Sequence, residues 1–184
     1  VQRLRQNYRQ VRPGISEVEL EELVKSGLRS AMRYWCETFR ISDWNRDRII
    51  ETVTVTRENL LTEAIAARSG LIIALPHAGN WDHAGLYFCT KGITVNTVAE
   101  HLKPERLFQK FLRHREAMGM RVLDLAESVS SKLEEILESG GLVALVADRD
   151  LSKSGIPVDF FGATAKIPPG PALLAIRTGA PLIT

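Results

Sequence analysis

Leu71-Ile72-Ile73-Ala74-Leu75-Pro76-His77-Ala78-Gly79-Asn80-Trp81-Asp82 is the stretch from which the rest of the chain is best read. Its first five residues form an unbroken apolar run, as expected of a strand buried on both faces, and Pro76 ends it. His77 follows at once. A tight Gly79-Asn80 turn comes next, and helical periodicity resumes after it. The pattern predicts strand, loop, helix, and delivers a histidine to the carboxyl edge of a sheet, where open α/β proteins keep their chemistry. Asp82 lies five residues beyond His77. That spacing can bring its carboxylate back against the imidazole, fixing the tautomer so that the other ring nitrogen can take a proton from a hydroxyl. A histidine after a strand also serves often as a satisfied loop residue, and the spacing alone does not separate the two uses.

Beyond Gly70 strand-like runs alternate with helical stretches. The strands are expected at Leu71–Leu75, 94–99, 121–125 and 142–147, with further candidates at 158–161 and 181–184. Helices are expected near 81–91, 104–118, 128–139 and 170–178. Such alternation predicts an α/β fold with a largely parallel central sheet and helices on both faces. Residues 1–69 read as mostly helical and precede it. Ser16 and Glu19 form a capping-box pattern for a long helix. Leu20, Leu23, Val24, Leu28, Ala31, Met32, Trp35 and Phe39 make one apolar stripe along it, suited to a core or, through Tyr34 and Trp35, to a membrane interface. A shorter helix is expected over 42–51, a short strand at Val53-Thr54-Val55, and another helix over 57–69. Residues 1–184 are expected to form a single domain, 1–69 and 70–184 being its helical and α/β portions. Both termini fall inside element-like stretches and read as cut.

Composition bounds the function. The chain has 184 residues, 45% hydrophobic and 25% charged, enough for one sizeable core. A formal charge of +2 gives no reason to expect nucleic acid. Cys36 and Cys89 lack metal-ligand spacing and read as free thiols. No apolar run approaches the roughly 20 residues that span a bilayer, so a soluble or peripheral protein is expected. The basic faces at 1–12 and around Lys103, Arg106, Lys110 and Arg113 suit solvent, phosphate or anionic lipid.

Read as a block, His77-Ala78-Gly79-Asn80-Trp81-Asp82 resembles the His-x-x-x-x-Asp motif of the glycerolipid acyltransferases. It looks most like the bacterial branch of lipid A late acyltransferases and phosphatidylinositol mannoside acyltransferases. Further blocks match in order. Val98-Ala99-Glu100 is followed by the stretch from Leu102-Lys103-Pro104-Glu105-Arg106-Leu107-Phe108 to Arg115 and Gly119-Met120. Then come Ala147-Asp148-Arg149-Asp150, Val158-Asp159-Phe160-Phe161-Gly162, and Ile167-Pro168-Pro169-Gly170-Pro171-Ala172. Similar mannoside acyltransferases can carry Glu where this chain has Asp148, so the reach here is shorter by one methylene. Pro169 and Gly170 would leave backbone N–H groups free for an anion at a helix start.

The resemblance implies an acyltransferase that moves a fatty acyl chain from acyl-CoA to a glycolipid acceptor, a mannose hydroxyl of a phosphatidylinositol mannoside. It would work on an anionic membrane surface at the cytoplasmic face of the cell membrane. His77 would be the general base and Asp82 its orienting partner. Glu100 and Asp148 would hold sugar or inositol hydroxyls or shape the charge around His77. Arg115 and Arg149 would bind phosphate or support those carboxylates. No metal or redox cofactor is implied. Two other readings stay open. One is a non-catalytic lipid-binding module. The other is a metallohydrolase using His77, Asp82, His83 and Asp148, although adjacent Asp82 and His83 would point about 100° apart on a helix. Gly-x-Ser-x-Gly, Walker and Gly-x-Gly-x-x-Gly patterns are absent from the sequence.

Overall fold

The structure, a computed structural model, describes residues 1–101, 103–125, 129–150 and 154–184. Two helices open it. α1 (Gln2–Val11) packs on α2 (Glu17–Arg40) through ion pairs of Arg5 with Glu21 and of Arg9 with Glu17. Ser16 starts α2 with both halves of a capping box: its Oγ accepts from the Glu19 N–H at 3.3 Å, and Glu19 Oε2 accepts from the Ser16 N–H at 3.1 Å. Short helices α3 (Arg46–Glu51) and α4 (Glu58–Ala66) lead to β1 (Leu71–Leu75).

From β1 onward strands and helices alternate: α5 (Trp81–Thr90), β2 (Val95–Ala99), α6 (Glu105–Ala117), β3 (Arg121–Asp124), α7 (Val129–Glu138) and β4 (Leu142–Val146). A hairpin of β5 (Ile156–Phe160) and β6 (Ala163–Ile167) interrupts before α8 (Gly170–Thr178) and β7 (Leu182–Ile183). Strands β3-β2-β4-β1-β7 form one sheet in that order, every pair parallel. Successive strand residues face opposite sides, so Leu71 and Leu142 enter one core cluster while Ile72 and Val143 enter the other. The first cluster packs Ile49, Leu61, Leu86 and Tyr87 from α3, α4 and α5; the second packs Leu133, Ile136, Leu137 and Leu174 from α7 and α8. Helices thus cover both faces, and the apolar run of β1 is buried on both.

Four local expectations need correction. Residues 42–51 are not one helix, because the chain makes a 3-10 turn at Ile41–Asp43 and restarts where Asn45 caps the Arg48 N–H at 2.9 Å. Val53 and Val55 form no strand; they are half-buried against the first core cluster and spend their β-branched side chains on packing instead of pairing. Residues 158–161 do not extend the parallel sheet. They belong to the antiparallel hairpin, which turns on Phe161 and Gly162, both at positive φ (54° and 69°). The apolar stripe of α2 divides. Leu20 and Val24 are buried, but Leu28, Met32, Trp35 and Phe39 are exposed. Leu102 and Ser128, at the starts of two expected blocks, lie outside the described residues.

Candidate active site

Sheet register builds the site. β1 and β4 pair residue for residue up to Leu75 opposite Val146, and the Ala147 N–H donates to the Leu75 carbonyl at 2.9 Å. Two further steps along each strand put His77 opposite Asp148. His77 Nδ1 lies 2.6 Å from Asp148 Oδ1. An ionised carboxylate only accepts, so Nδ1 carries the proton and Nε2 is left as an acceptor. The side chains keep 36% and 37% of their surface exposed, so the pair is open to a reactant. Burial pushes the Asp148 carboxyl up, but hydrogen bonds from the His77 side chain and backbone outweigh it and hold the pKa below the usual value.

Asp82 does something else. It is 2% exposed and bound from two other helices: Arg115 of α6 donates Nε to Oδ1 at 2.8 Å and Nη2 to Oδ2 at 3.4 Å, and Tyr34 of α2 donates its hydroxyl to Oδ2 at 2.9 Å. Both carboxylate oxygens are engaged, as a buried charge requires. The carboxylate hydrogen-bonded to His77 is therefore Asp148, not Asp82. One helical turn does not fold Asp82 back on the imidazole, because Asn80 caps α5 by accepting from the His83 N–H at 3.0 Å and Asp82 leaves from the inner face. Tyr34 is pushed up to about 12, first by burial and then by the Asp82 charge, so it stays a donor at any working pH.

Trp81 links the two groups. Its ring stands edge-to-face to His77, centroids 5.0 Å apart, and stacks on Tyr34 at 4.2 Å. Glu37, one turn along α2 from Tyr34, accepts from the Asn80 side-chain amide at 3.1 Å.

Glu100 follows β2 directly, so it sits at the same carboxyl edge on the other side of β4. With Arg115, Tyr34, Trp35, Phe108, Phe111 and Leu112 it lines a cavity of about 90 Å³ between α2 and α6. That is well below the roughly 300 Å³ of a typical small-molecule pocket, and His77 and Asp148 do not line it. Arg149 is exposed beside Asp148 and makes no ion pair among the described residues. Arg115 is held by Asp82. The four conceived metal donors separate: His77 binds Asp148, Asp82 binds Arg115, and His83 Nε2 lies 3.1 Å from Thr52 Oγ1. Among the described residues no group of three potential ligands could hold a metal ion.

Reading along the sequence missed Tyr34, Glu37 and Trp81 as parts of the site. The available signal was the Tyr34–Glu37 spacing, which puts both on one face of α2, opposite the histidine loop.

The sequence model of the bacterial lipid A biosynthesis acyltransferases matches residues 1–184. A phosphatidylinositol mannoside acyltransferase of Mycolicibacterium smegmatis is 41% identical over 165 residues, which cover 88% of this chain and 54% of that protein. One of Mycobacterium tuberculosis is 41% identical over 168 residues, 89% of this chain and 53% of that protein. The chain spans about half the length of the curated relatives it matches.

Proposed function

We propose an acyl-transfer reaction for this chain, which belongs to the bacterial lipid A biosynthesis acyltransferase family. A fatty acyl chain moves from acyl-CoA to a hydroxyl of a glycolipid, a mannose of a phosphatidylinositol mannoside. The observation that carries this reading is the 2.6 Å His77–Asp148 contact at an open sheet edge, with Nε2 left as the acceptor. Nε2 takes the proton of the acceptor hydroxyl as its oxygen attacks the thioester carbonyl. The new C–O ester bond forms, the C–S bond breaks, and the departing thiolate takes the proton back from the imidazolium. Asp148 holds the tautomer and balances the transient charge. So written, the reaction needs no acyl-enzyme, metal or redox cofactor.

Glu100 and Arg149 border the same edge and suit sugar hydroxyls and phosphate. Asp82 and Arg115 support the loop by locking α5 to α6. The relatives' names support the mannoside acceptor.

The reaction is placed by this reading at an anionic membrane surface, on the cytoplasmic face, and α2 and α6 support the membrane part of it. Leu28, Met32, Trp35 and Phe39 run exposed along α2, and Phe111 of α6 meets Trp35 and Phe39 with ring centroids 5.9 and 6.2 Å apart. The same two helices carry exposed cations: Lys25, Arg29, Arg33 and Arg40 on α2, and Arg106, Lys110 and Arg113 on α6, with Lys103 just before it. An apolar strip on helices that also carry exposed cations suits anionic headgroups, each cation near the surface contributing about 1 kcal/mol. Among the described residues no helix is long and apolar enough to cross a membrane.

The test is transfer of label from acyl-CoA to phosphatidylinositol mannoside presented in anionic vesicles. Label in the glycolipid, absent with a His77→Ala protein, is the expected outcome. Hydrolysis without transfer, or no turnover of any lipid acceptor, overturns the reading.

A further inference from the structure

The acyl-transfer reading leaves open what holds His77 in place. Between Leu75 and α5 the loop is thinly supported. The Ala78 N–H donates to the Pro76 carbonyl at 2.7 Å, and Gly79, at φ +62°, has no atom within 4 Å of where a Cβ would stand. Asp148 holds the loop from one side, through the side chain and backbone of His77, and the residues that follow the loop hold it from the other. Those residues, Asn80, Trp81 and Asp82, are all held by one turn of α2: Glu37 binds Asn80, the Tyr34 ring stacks on Trp81, and the Tyr34 hydroxyl binds Asp82.

We propose that Tyr34 is a positioning residue for His77, acting through Trp81, whose ring borders the imidazole, and through Asp82 at the start of α5. The stacked Tyr34 and Trp81 rings leave the indole few other orientations, and the indole edge in turn limits the tilt of His77. Asp82 already has a guanidinium partner in Arg115, so the tyrosine hydroxyl adds direction more than charge balance. Tyr34 is half-buried, one turn from the buried Thr38, while the apolar core of α2 is made by Leu20 and Val24. A base displaced by about an ångström loses on the order of 100-fold in rate, and this is the loss Tyr34 prevents. The inference rests on His77 being the general base.

The experiment compares Tyr34→Phe, which keeps the ring and loses the hydroxyl, with Tyr34→Leu, which loses both. Tyr87→Phe is the control; its ring is buried in the core and its hydroxyl bonds Glu58 at 3.3 Å, away from the site. In the purified protein kcat should fall about 10-fold in Tyr34→Phe and about 100-fold in Tyr34→Leu, with KM for both substrates unchanged. Tyr87→Phe should keep its kcat.

A second readout is the NMR line of the strongly hydrogen-bonded His77 Nδ1 proton, assigned by its absence in His77→Ala. It should shift or broaden in Tyr34→Leu and persist in Tyr87→Phe. This line reports the His77–Asp148 contact whether or not any acyl group is transferred, so it separates failure of this inference from failure of the acyl-transfer reading. Full kcat and an unmoved line in Tyr34→Leu overturn the proposal. So does a rise in KM with kcat intact, which makes Tyr34 a binding residue. If Tyr34→Leu does not fold, Tyr34→Phe decides: wild-type kcat with an unmoved line sinks the idea.

Discussion

Within six residues the chain passes from one acid–base pair to another, and the two are built to opposite ends. His77 and Asp148 leave about a third of their side chains exposed, joined by one short contact across parallel strands. Asp82 and Arg115 leave 3% and 19%, joined by two contacts and closed over by Tyr34. On the proposed mechanism the first pair gives and takes a proton and has to meet its reactant; its exposure leaves it screened by solvent, so it contributes little to stability. A pair that fixes one helix against another is costly to bury, so every oxygen has to be satisfied, and removing one partner strands the other. The difference teaches that the aspartate of a His-x-x-x-x-Asp motif can hold the histidine's platform while another carboxylate touches the histidine.

The contrast breaks most sharply at its two ends. His77→Ala should lower acyl transfer by about 10²–10⁴, the usual worth of a general base, with thermal unfolding close to wild type because the pair is exposed. Asp82→Ala should act first on stability, with any loss of kcat following from the displaced loop. It leaves a guanidinium buried without its partner, which costs about 3–5 kcal/mol, read as a lower urea midpoint before any activity is measured. A stable, inactive Asp82→Ala protein beside an active His77→Ala protein would exchange the two roles.

Asp148→Asn sharpens the comparison at the next level. The amide places an N–H where a carboxylate oxygen had accepted. It can turn to offer its carbonyl, or it can donate to Nδ1 and drive the imidazole proton to Nε2, the wrong nitrogen for a base. Because the amide can still offer its carbonyl, kcat should fall toward the lower end of the roughly 10²–10⁴-fold worth of a general base, with the urea midpoint nearly unchanged. Wild-type kcat in this variant would remove Asp148 from the orienting role.

How much of this was legible in the sequence follows the range of each interaction. The apolar run of β1, the proline stop and the histidine after it are local signals, and the structure places them as read. The capping box at Ser16 is equally local. The partner of His77 is not local: it depends on Leu75 pairing with Val146, a register between strands 71 residues apart. Looking along the chain finds Asp82 first, because spacing is visible and register is not. The stripe on α2 fails for a related reason. Periodicity shows that Leu20 and Phe39 share a face, but only tertiary packing decides that the first is buried and the second 62% exposed. The Val53-Thr54-Val55 segment has strand propensity without pairing, so it stays irregular.

The smallest expected effect separates charge from reach. Asp148→Glu keeps the acceptor carboxylate, so the tautomer of His77 survives, but adds a methylene to a contact already at 2.6 Å. Register fixes the two backbones, and the longer side chain must fold back to return its oxygen to Nδ1. An off-rotamer side chain costs ~0.5–1.5 kcal/mol, equivalent to about a 2–10-fold loss in rate. The variant should therefore fall between wild type and Asp148→Asn when kcat is measured under one set of conditions. If Asp148→Glu is as slow as Asp148→Asn, the length of the reach governs the site and the edge is rigid. If Asp148→Glu matches wild type, the loop bearing His77 yields to the longer acid. The support from Trp81 and α2 is then looser than the ring stacking and the buried Asp82 contacts suggest.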